Sequence, residues 1–174
     1  MSIKAFIRKL LDIRTVEDMS NECWFEPVSL HFRKFPSENI QLPTRGTKYA
    51  MAYDVYANKD YEVESGAIAK VWTDVKAHMA KDVALVANVR SSMGGKFMLA
   101  NTQGWIESDY YSNESNDGNI GIFLKNISNE TLTIKKGDRV GQLMFIPFVH
   151  ADNVYEAIYN LGTTRKGGFG STNK

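Results

Sequence analysis

A run of polar and aromatic residues from Val89 to Tyr111 has the composition of a site for a small anionic molecule. Arg90 can donate paired hydrogen bonds to phosphate oxygens, because its guanidinium is a planar fork of donors. Ser91 and Ser92 add hydroxyls and, in a turn, backbone N–H donors. The same run also fits an ordinary β-hairpin with a polar edge, and this stretch alone leaves both interpretations open.

The second half of this run contains groups that could recognise a base and a sugar. Asn101 offers an amide donor and an acceptor side by side, and Gln103 with Gly104 predicts a tight hairpin turn. Beyond that turn, Glu107 supplies a carboxylate and Tyr110 an aromatic ring. A cation, hydroxyls, an amide, a carboxylate and an aromatic ring therefore fall within about two strands of chain.

Short apolar segments separated by turn residues predict an all-β fold, either a barrel or a jelly roll. The predicted strands cover residues 28–33, 50–57, 68–75, 82–89, 96–100, 120–125, 131–134 and 139–148. Asp54 is an acid among apolar and aromatic residues, so it needs a partner, either in a salt bridge or through a metal or a phosphate-bound water. Gln142 interrupts an apolar strand as a core amide or a ligand contact, and we favour the ligand contact because long buried amides are uncommon.

The two ends of the chain differ from this pattern. Residues 2–14 have apolar side chains at helical spacing and predict an amphipathic helix, which packs on its own domain or binds a partner or a membrane surface. The glycine-rich end contains one aromatic residue, Phe169, and is either a disordered tail or a flexible lid over a nucleotide. We therefore divide the chain into an N-terminal helical extension (1–27), a β domain (28–160) and a C-terminal arm (161–174).

Length, charge and cysteine content restrict the class of protein. The chain has 174 residues, of which 43% are hydrophobic, and this is enough for one domain with a real core. The formal net charge is +1, so no global field attracts nucleic acid or a membrane, and we expect neither as a partner. The single cysteine, Cys23, excludes an internal disulfide and suits a reducing cytoplasm.

Five blocks of the sequence resemble the homotrimeric dUTPases (dUTP nucleotidohydrolases), in the order in which that family has them. They are A-M-A-Y-D-V-Y-A at 50–57, V-R-S-S at 89–92, N-T-Q-G-W-I-E-S-D-Y at 101–110, G-D-R-V-G-Q-L at 137–143 and R-K-G-G-F-G-S-T at 165–172. The loop Y-Y-S-N-E-S-N-D-G at 110–118 is similar to dUTPases of Gram-positive bacteria and their phages. The resemblance runs from about residue 28 to the end and leaves the first 27 residues outside.

The resemblance implies a jelly-roll subunit and a homotrimer with three sites at subunit interfaces. It implies Mg²⁺-dependent hydrolysis of dUTP to dUMP and pyrophosphate, which keeps uracil out of DNA and supplies dUMP for dTMP synthesis. It also implies a cytoplasmic protein, in the host cytoplasm if a phage encodes it. Because the arm lies far along the chain from the other blocks, we expect it to close a pocket on a neighbouring subunit.

The phosphate side of the implied site is formed by the first, second and fourth blocks. Asp54 matches the acid that holds Mg²⁺ through water, which suits an ion that keeps several of its waters and binds substrate phosphates. Arg90, Ser91 and Ser92 match the phosphate-binding turn, and Gln142 matches a further phosphate contact.

The base and sugar side is implied by the third and fifth blocks. Asn101 matches the amide that recognises uracil, and Tyr110 matches the ring under the deoxyribose, where a 2′-hydroxyl would clash. The backbone that completes the uracil edge is that of Gly104, Trp105 and Ile106. The implied contacts from the arm are Arg165 to phosphate and Phe169 to uracil, with Gly170 and Ser171 beside them.

Glu107 stands where the family has a water-activating aspartate, and we predict that it is the general base. Asp109 shares the side-chain parity of Glu107 if the segment is an extended strand, and is the alternative base. Glu107 also leaves room for a dUTP-sensing protein with weakened catalysis, which implies a regulatory protein as an additional partner. A dCTP deaminase is a further alternative, but that class needs a glutamate where Phe123 stands.

Overall fold

The structure, a computed structural model, describes residues 15–149 and 167–168. Along these residues the chain forms one short α-helix, α1 (Val16–Asn21), three 3₁₀ helices and twelve β-strands. The 3₁₀ helices cover Leu30–Phe32, Ser91–Met93 and Ser108–Tyr110. The strands are β1 (Trp24–Pro27), β2 (Thr44–Arg45), β3 (Tyr53–Tyr56), β4 (Tyr61–Val63), β5 (Ile68–Trp72), β6 (Val75–His78), β7 (Val83–Asn88), β8 (Phe97–Leu99), β9 (Gly104–Ile106), β10 (Gly121–Asn126), β11 (Leu132–Ile134) and β12 (Arg139–Pro147).

The described strands pair in antiparallel fashion. The largest sheet has the order β2-β3-β12-β7-β9, a second has the order β5-β10-β8, and β1-β6 and β4-β11 form two further pairs. Apolar side chains from both larger sheets meet in one core, which includes Val55, Leu85 and Leu143 from the first sheet and Val71, Ile122 and Leu124 from the second. This architecture confirms the predicted all-β fold of the jelly-roll type.

Strand β7 positions the first candidate site residue. Its residues from Val83 to Ala87 are all buried, although successive side chains of a strand point to opposite faces. A strand covered on both faces shows a continuous apolar sequence rather than alternation, which is what this segment has. The strand ends at Asn88, one residue before the predicted end, and Arg90 lies two residues beyond it.

The predicted strand over residues 28–33 is wrong, because Leu30–Phe32 forms a 3₁₀ helix and Leu30 is 64% exposed. The backbone there has partners outside any sheet: Val28 N–H donates to the Asp74 carbonyl, and the Val28 carbonyl accepts from Arg33 Nε. The strand lies earlier, at Trp24–Pro27, in the segment that the sequence analysis assigns to the N-terminal helical extension. It pairs with β6, so β-structure begins before residue 28.

The predicted strand from Ile68 is divided at Asp74, between β5 and β6. Asp74 has a left-handed backbone conformation, with a φ of 53°, and its side chain is fully buried. Its carboxylate accepts hydrogen bonds from the backbone N–H groups of Lys34 and Phe35 and from the Asn119 amide. These long-range bonds satisfy a buried charge, and a local sequence pattern cannot show them.

Some predictions fall outside the described residues. They are the amphipathic helix over 2–14 and most of the arm, including Arg165, Phe169, Gly170 and Ser171. The division of the chain at residues 27 and 160 stays a prediction. Within the ranges that the structure describes, no helix combines the length and apolar character that crossing a bilayer requires.

The polar loop after Tyr111 is anchored by a buried ion pair. Lys76 Nζ lies 3.0 Å from Asp117 Oδ1, and both side chains are only 8% exposed. Asp117 also accepts hydrogen bonds from the backbone N–H and the hydroxyl of Ser29. Glu26 joins the cluster, since Lys76 Nζ lies 3.3 Å from its carboxylate and the Tyr111 hydroxyl donates to it at 2.6 Å. The cluster ties β1 and β6 to the loop.

Hydrogen bonds and neighbouring charges together outweigh burial in the pKa shifts of this cluster. The Tyr111 hydroxyl and Lys76 hold the pKa of Glu26 below its ordinary value. Burial alone would raise the pKa of Asp117, but hydrogen bonds from Ser29 and Lys76 outweigh burial and lower it. Burial alone would lower the pKa of Lys76, but Asp117 and Glu26 raise it.

These pKa shifts make the stability of the fold depend on pH. The two carboxylates with lowered pKa values contribute stability above the ordinary carboxyl pKa, and this contribution is lost as the pH falls through the lowered values. The raised pKa of Lys76 stabilises the fold below the ordinary lysine value, and this is lost as the pH rises through it.

We predict that Lys76→Met lowers the free energy of unfolding at neutral pH by about 3–5 kcal/mol, because Asp117 keeps a buried charge without its ion pair. The pKa of Asp117 should rise in the variant, so acid unfolding should begin at a higher pH. Denaturant unfolding between about pH 3 and pH 8 measures both effects. The control is Lys135→Met, which removes an exposed pair with Asp60 and should change little. Equal losses in the two variants would contradict the role given to the buried pair.

Candidate active site

Three neighbouring strands bring polar side chains into one cross-strand row at an end of the five-stranded sheet. Asp54 on β3 pairs with Gln142 on β12, and Gln142 pairs with Asn88 on β7. Directly paired residues of antiparallel strands point to the same face, so a carboxylate and two amides lie side by side. Thr44 on β2 extends the row beyond Asp54.

Arg90 connects to this row through an ion pair with Asp54, in which Nε lies 2.7 Å from Oδ1. The Asp54 side chain is 11% exposed and that of Arg90 is 24% exposed. A second guanidinium, that of Arg139 on β12, lies 3.5 Å from Asp54 Oδ2. The sequence left Asp54 either in a salt bridge or at a metal or phosphate-bound water, and the structure shows the salt bridge. Two cations against one carboxylate leave an excess of positive charge, which suits a polyphosphate.

Arg139 is a site residue that the sequence reasoning missed. The signal was present, because Arg139 lies in the fourth block, three residues before Gln142. Its contact with Asp54 depends on an irregularity in the pairing of β12 with β3 between Arg139 and Gly141. Such a bulge turns a side chain away from strict alternation, so the sequence period does not place Arg139 beside Asp54.

The serine turn forms the wall of a cleft next to this ion pair. Ser91–Met93 is a 3₁₀ helix with Arg90 at its N-terminus, and Ser91 and Ser92 are exposed. Ser92 Oγ accepts a long hydrogen bond, of 3.4 Å, from Arg90 Nη1. The cleft has a volume of about 270 Å³, and its polar lining residues are Arg90, Ser92, Lys96, Thr133, Asp138 and Arg139. Three cations and two hydroxyls around one carboxylate make it an anion-binding cleft.

The predicted uracil-recognising residues lie on the turn between β8 and β9. The turn comes one residue earlier than predicted, since Thr102 adopts the left-handed conformation and Gly104 already belongs to β9. Thr102 supports this turn by donating from its hydroxyl to the Asn101 carbonyl. Gly104 pairs with Ala87, and a Cβ on Gly104 would lie 3.0 Å from the Ala87 Cβ. A side chain at this position would require Ala87 or the hairpin backbone to shift by a few tenths of an ångström, so glycine suits the close approach to β7.

The side chains of this hairpin are open to the surroundings in the single chain. Asn101 is exposed, Trp105 is 61% exposed and Ile106 is half-buried. Strand β9 lies at the edge of the five-stranded sheet and pairs on one side with β7. Among the described strands, β9 pairs on one edge alone, so the hairpin presents its amide and its other backbone edge outward, where they could meet a base.

Tyr110 is held at both ends. Its side chain is 6% exposed, its hydroxyl donates to the Asn119 carbonyl at 2.8 Å, and Asn116 Nδ2 donates to the hydroxyl at 2.7 Å. Its backbone carbonyl accepts from Asn113 Nδ2. These hydrogen bonds fix the position of the ring.

The described part of the arm touches Tyr110 of the same chain. Gly167 is buried, and a Cβ on Gly168 would lie 2.4 Å from Tyr110 Cε2. The described part of the arm and the Tyr110 ring therefore lie together in one chain, whereas the sequence predicts that the arm closes a pocket on a neighbouring subunit. Because this contact is within one chain, the position of the arm along the sequence does not by itself require a neighbouring subunit.

Glu107 continues β9 in an extended conformation and its side chain is exposed. Its backbone carbonyl accepts from Tyr110 N–H and starts the 3₁₀ helix Ser108–Tyr110. Asp109 lies inside that helix, so the extended-strand parity that made it an alternative to Glu107 does not hold. The two carboxylates therefore differ in backbone conformation: Glu107 is extended and Asp109 is in a 3₁₀ helix.

Within one chain Glu107 and the Asp54 row lie at different places on the sheet. Ile106 pairs with Leu85, so Glu107 continues to a position opposite Ala84, four residues along β7 from Asn88. Four residues along a strand and three strand spacings across the sheet separate Glu107 from Asp54 by roughly 20 Å. The predicted site residues therefore form two groups in the chain, one around Asp54 and Arg90 and one around Glu107 and Tyr110.

The donor set at Asp54 fits a magnesium ion that is held mainly by water and phosphate. No cluster of three or more histidine, cysteine, aspartate or glutamate residues occurs among the described residues. Asp54 is the largely buried carboxylate beside the cleft, and Mg²⁺ commonly binds proteins through one or two carboxylates plus substrate phosphates.

Phe123 occupies the position at which a deaminase would need a glutamate. It lies in β10, and its ring packs edge-on against Trp72 with the ring centroids 5.6 Å apart. A Cβ on Gly121 would lie 2.8 Å from Phe123 Cε1, so the ring is closely confined. An apolar ring cannot take part in proton transfer, and this disfavours deamination.

Comparison with protein families finds the dUTPase family over residues 38–173. The deoxyuridine 5′-triphosphate nucleotidohydrolase of Lactococcus lactis is 35% identical over 141 residues, which are 80% of this chain and 92% of that protein. The matched region includes all five blocks of the sequence, from the Asp54 strand to the arm.

Solved structures agree with this comparison. The crystal structure of the dUTPase from Streptococcus mutans superposes with a TM-score of 0.65 at 35% identity, covering 74% of this chain and 98% of that one. The dUTPase from phage phi11 of S. aureus, whose mutant structure is described as coordinating a structural Mg(II) ion, superposes with a TM-score of 0.60. It is 20% identical and covers 75% of this chain and 93% of its own, so that likeness concerns the fold.

Proposed function

This chain belongs to the dUTPase family, and on that premise we propose that it hydrolyses dUTP to dUMP and pyrophosphate. The observation that carries the proposal is the Asp54–Arg90 ion pair beside Gln142, which builds a compact anion site at the end of three strands. The serine turn and Arg139 add donors around the same point.

We further propose that each active site is shared between subunits of a homotrimer. The separation of roughly 20 Å between Glu107 and Asp54 is too long for one chain to place both against one triphosphate. A heterologous contact repeated three times around an axis closes a ring, and it can bring Glu107 of one subunit to the Asp54 row of another. The exposed hairpin edge at β9 is the surface that would meet the neighbour.

The phosphate groups are bound mainly by charge. Arg90 is oriented by Asp54, so its guanidinium is fixed before the substrate arrives. A fixed cation stabilises charge that develops on the phosphates without reorganising during the reaction. Ser92 offers a hydroxyl in the lining of the cleft, Ser91 adds one in the same exposed turn, and Gln142 offers an amide in the row. Within the proposed site, Asp54 would hold Mg²⁺ through water, and the ion would neutralise charge on the phosphate oxygens.

Uracil and deoxyribose are recognised by the second group of residues. Asn101 and the backbone from Gly104 to Ile106 present donors and acceptors to the base edge. Cytosine reverses the donor and acceptor at N3 and C4, so it would leave buried polar groups unpaired. Tyr110 lies under the deoxyribose and excludes a 2′-hydroxyl. By the resemblance of the fifth block, Phe169 of the arm would cover the base and Arg165 would contact the phosphates.

Glu107 activates the water. Its carboxylate accepts a proton from water as the water oxygen attacks the α-phosphorus, and the bond from that phosphorus to the bridging oxygen of the β-phosphate breaks. Pyrophosphate leaves with the electrons of that bond, and dUMP keeps the new oxygen. In ¹⁸O-labelled water, the label is therefore expected in dUMP.

The proposal is tested by incubating the full chain with dUTP, dCTP or UTP in the presence of Mg²⁺ and quantifying the products. We expect equal amounts of dUMP and pyrophosphate from dUTP. The kcat/KM for dUTP should exceed that for dCTP on the order of 10⁴-fold, because a site that hydrogen-bonds the base rejects one that leaves its groups unpaired. Ammonia release from dCTP would point to a deaminase, and tight binding of dUTP without turnover would point to a sensor.

A further inference from the structure

Asn116 lies outside the five blocks and is not used by the proposed reaction, yet its amide binds the hydroxyl of the sugar-side ring. The distance from Asn116 Nδ2 to the Tyr110 hydroxyl oxygen is 2.7 Å. We infer that Asn116 is a positioning residue that fixes Tyr110 and thereby sets the discrimination between deoxyribose and ribose. This inference rests on the proposed function, since it assigns a cause to the sugar specificity of that site.

The orientation of the Asn116 amide is determined by its neighbours. Its Oδ1 accepts from Asn113 Nδ2 at 2.7 Å and from Gly118 N–H at 3.1 Å. Because two donors face this oxygen, the nitrogen must face the Tyr110 hydroxyl, and a flipped amide would break both bonds. The hydrogen bonds of the loop therefore make Asn116 a donor to the Tyr110 hydroxyl.

The Tyr110 hydroxyl is also connected to the core on its other side. It donates to the Asn119 carbonyl at 2.8 Å, and Asn119 is fully buried. Asn119 in turn bonds Asp74 twice, from Nδ2 to the carboxylate at 2.7 Å and from the Asp74 N–H to Oδ1 at 3.1 Å. The hydroxyl therefore lies between a loop amide and an anchored backbone carbonyl, which restricts motion of the ring.

The loop is folded closely around Tyr110, and this makes Asn116 a fixed point. Ser112, Asp117 and Gly118 adopt left-handed conformations, with φ of 52°, 56° and 81°. A Cβ on Gly118 would lie 2.9 Å from the Tyr110 carbonyl oxygen, so the chain passes close under the tyrosine. The buried Asp117–Lys76 pair fastens the end of the loop. A donor held by such a loop keeps its place when ligand binds.

The Tyr110 ring can exclude the 2′-hydroxyl of ribose sterically only if the ring stays in place. Shifts of a few tenths of an ångström relieve a van der Waals overlap, so a mobile ring would admit ribose. Discrimination based on a small group in a pocket typically ranges from about 10-fold to 200-fold, and it falls when the pocket can adapt. Loss of the Asn116 donor should therefore change sugar selectivity more than it changes affinity for the deoxyribonucleotide.

The test measures the dissociation constants of dUMP and UMP, which need no hydrolysis, by calorimetry or NMR on the full chain. Asn116→Asp keeps the shape and the Oδ1 acceptor but turns an acceptor toward the Tyr110 hydroxyl. We expect the UMP/dUMP ratio of dissociation constants to fall about tenfold or more. The control is Ser115→Ala, which removes a hydroxyl that bonds Asn113 in the same loop and should leave the ratio unchanged.

A double-mutant cycle separates positioning from general damage. Tyr110→Phe removes the hydroxyl through which Asn116 acts and should also lower the ratio, and Asn116→Asp should add nothing in that background. Additive effects, an unchanged ratio in Asn116→Asp, or an equal fall in Ser115→Ala would overturn the inference. If Asn116→Asp does not fold, Tyr110→Phe decides alone, since an unchanged ratio there overturns the inference and a lowered ratio supports it. Failure of dUTP hydrolysis would leave this binding test intact.

Discussion

Replacing Glu107 by glutamine is expected to lower kcat for dUTP by about 10²–10⁴-fold, which is the usual contribution of a positioned general base. The amide has the shape of the carboxylate but cannot accept the proton of the attacking water. Affinity for dUTP should stay within a few-fold, because Glu107 lies at the exposed end of β9 and is not part of the Asp54–Arg90 ion pair. Steady-state kinetics with a pyrophosphate readout, together with nucleotide binding, measures both quantities.

Two companion variants sharpen this result. Asp109→Asn should keep close to the parental rate, because Asp109 lies within the 3₁₀ helix rather than on the face of Glu107. Glu107→Asp should remain active, since it restores the residue that the family has at this position. Parental turnover by Glu107→Gln would show that Glu107 is not the base. Activity in Glu107→Asp but not in the parent would identify a dUTP-binding protein with disabled chemistry.

Replacing Asp54 by asparagine is expected to lower kcat/KM by about 10²–10³-fold, comparable to the loss of one preorganised group at a developing charge. Arg90 loses the carboxylate that orients it at 2.7 Å, and the cross-strand row loses its one negative charge. The Mg²⁺ concentration that gives half-maximal activity should rise about 10–100-fold if Asp54 holds the ion through water.

The matched control is Asp60→Asn, which removes a carboxylate of an exposed pair with Lys135. It should leave both the rate and the Mg²⁺ dependence at the parental values. A magnesium titration of Asp54→Asn that superposes on that of the parent would contradict the metal role. A reduced rate with unchanged Mg²⁺ dependence would leave Asp54 as a partner of Arg90 alone.

The strands and polar residues on the phosphate side of the candidate site were predictable, because they depend on residue types and on the two-residue period of a strand. The apolar run before Arg90 indicates a buried strand that leads to a cation, and β7 covers Val83–Asn88, within one residue of the predicted bounds at each end. The polar residues Asp54 and Gln142 interrupt apolar strands and were predicted as site residues on that ground, and the register places them side by side. Short-range patterns were sufficient for these residues, since each stands out within its own strand.

The long-range features were not predictable from the same patterns. The 3₁₀ helix at Leu30–Phe32 replaces a predicted strand because Ser29 and Val28 find partners at Asp117 and Asp74, far along the chain. The approach of Arg139 to Asp54 depends on a bulge, and the function of Asn116 depends on a loop folded under Tyr110. Strand pairing and loop closure decide these contacts, and neither leaves a periodic signal in the sequence.

The separation between Glu107 and Asp54 changes the basis for expecting a shared site. The sequence suggested a neighbouring subunit because the arm lies far along the chain, but Gly168 contacts Tyr110 of its own chain. The expectation of a shared site now rests on the register of β9 with β7. This register puts Glu107 opposite a position four residues along β7 from the row that contains Asp54. The central claim is therefore that one subunit supplies the phosphate-binding residues around Asp54 and Arg90. Another subunit supplies the general base, Glu107.

Mixing two inactive variants tests this claim most directly. Asp54→Asn and Glu107→Gln subunits are combined in equal amounts, partially unfolded together and refolded, and dUTP hydrolysis is measured against each variant treated alone. If sites form between subunits, random assembly leaves about one quarter of them with both residues intact, so activity should return to about one quarter of the parental value. If each chain builds its own site, no mixed assembly contains an intact one, and activity that stays at the level of the separate variants would contradict the account.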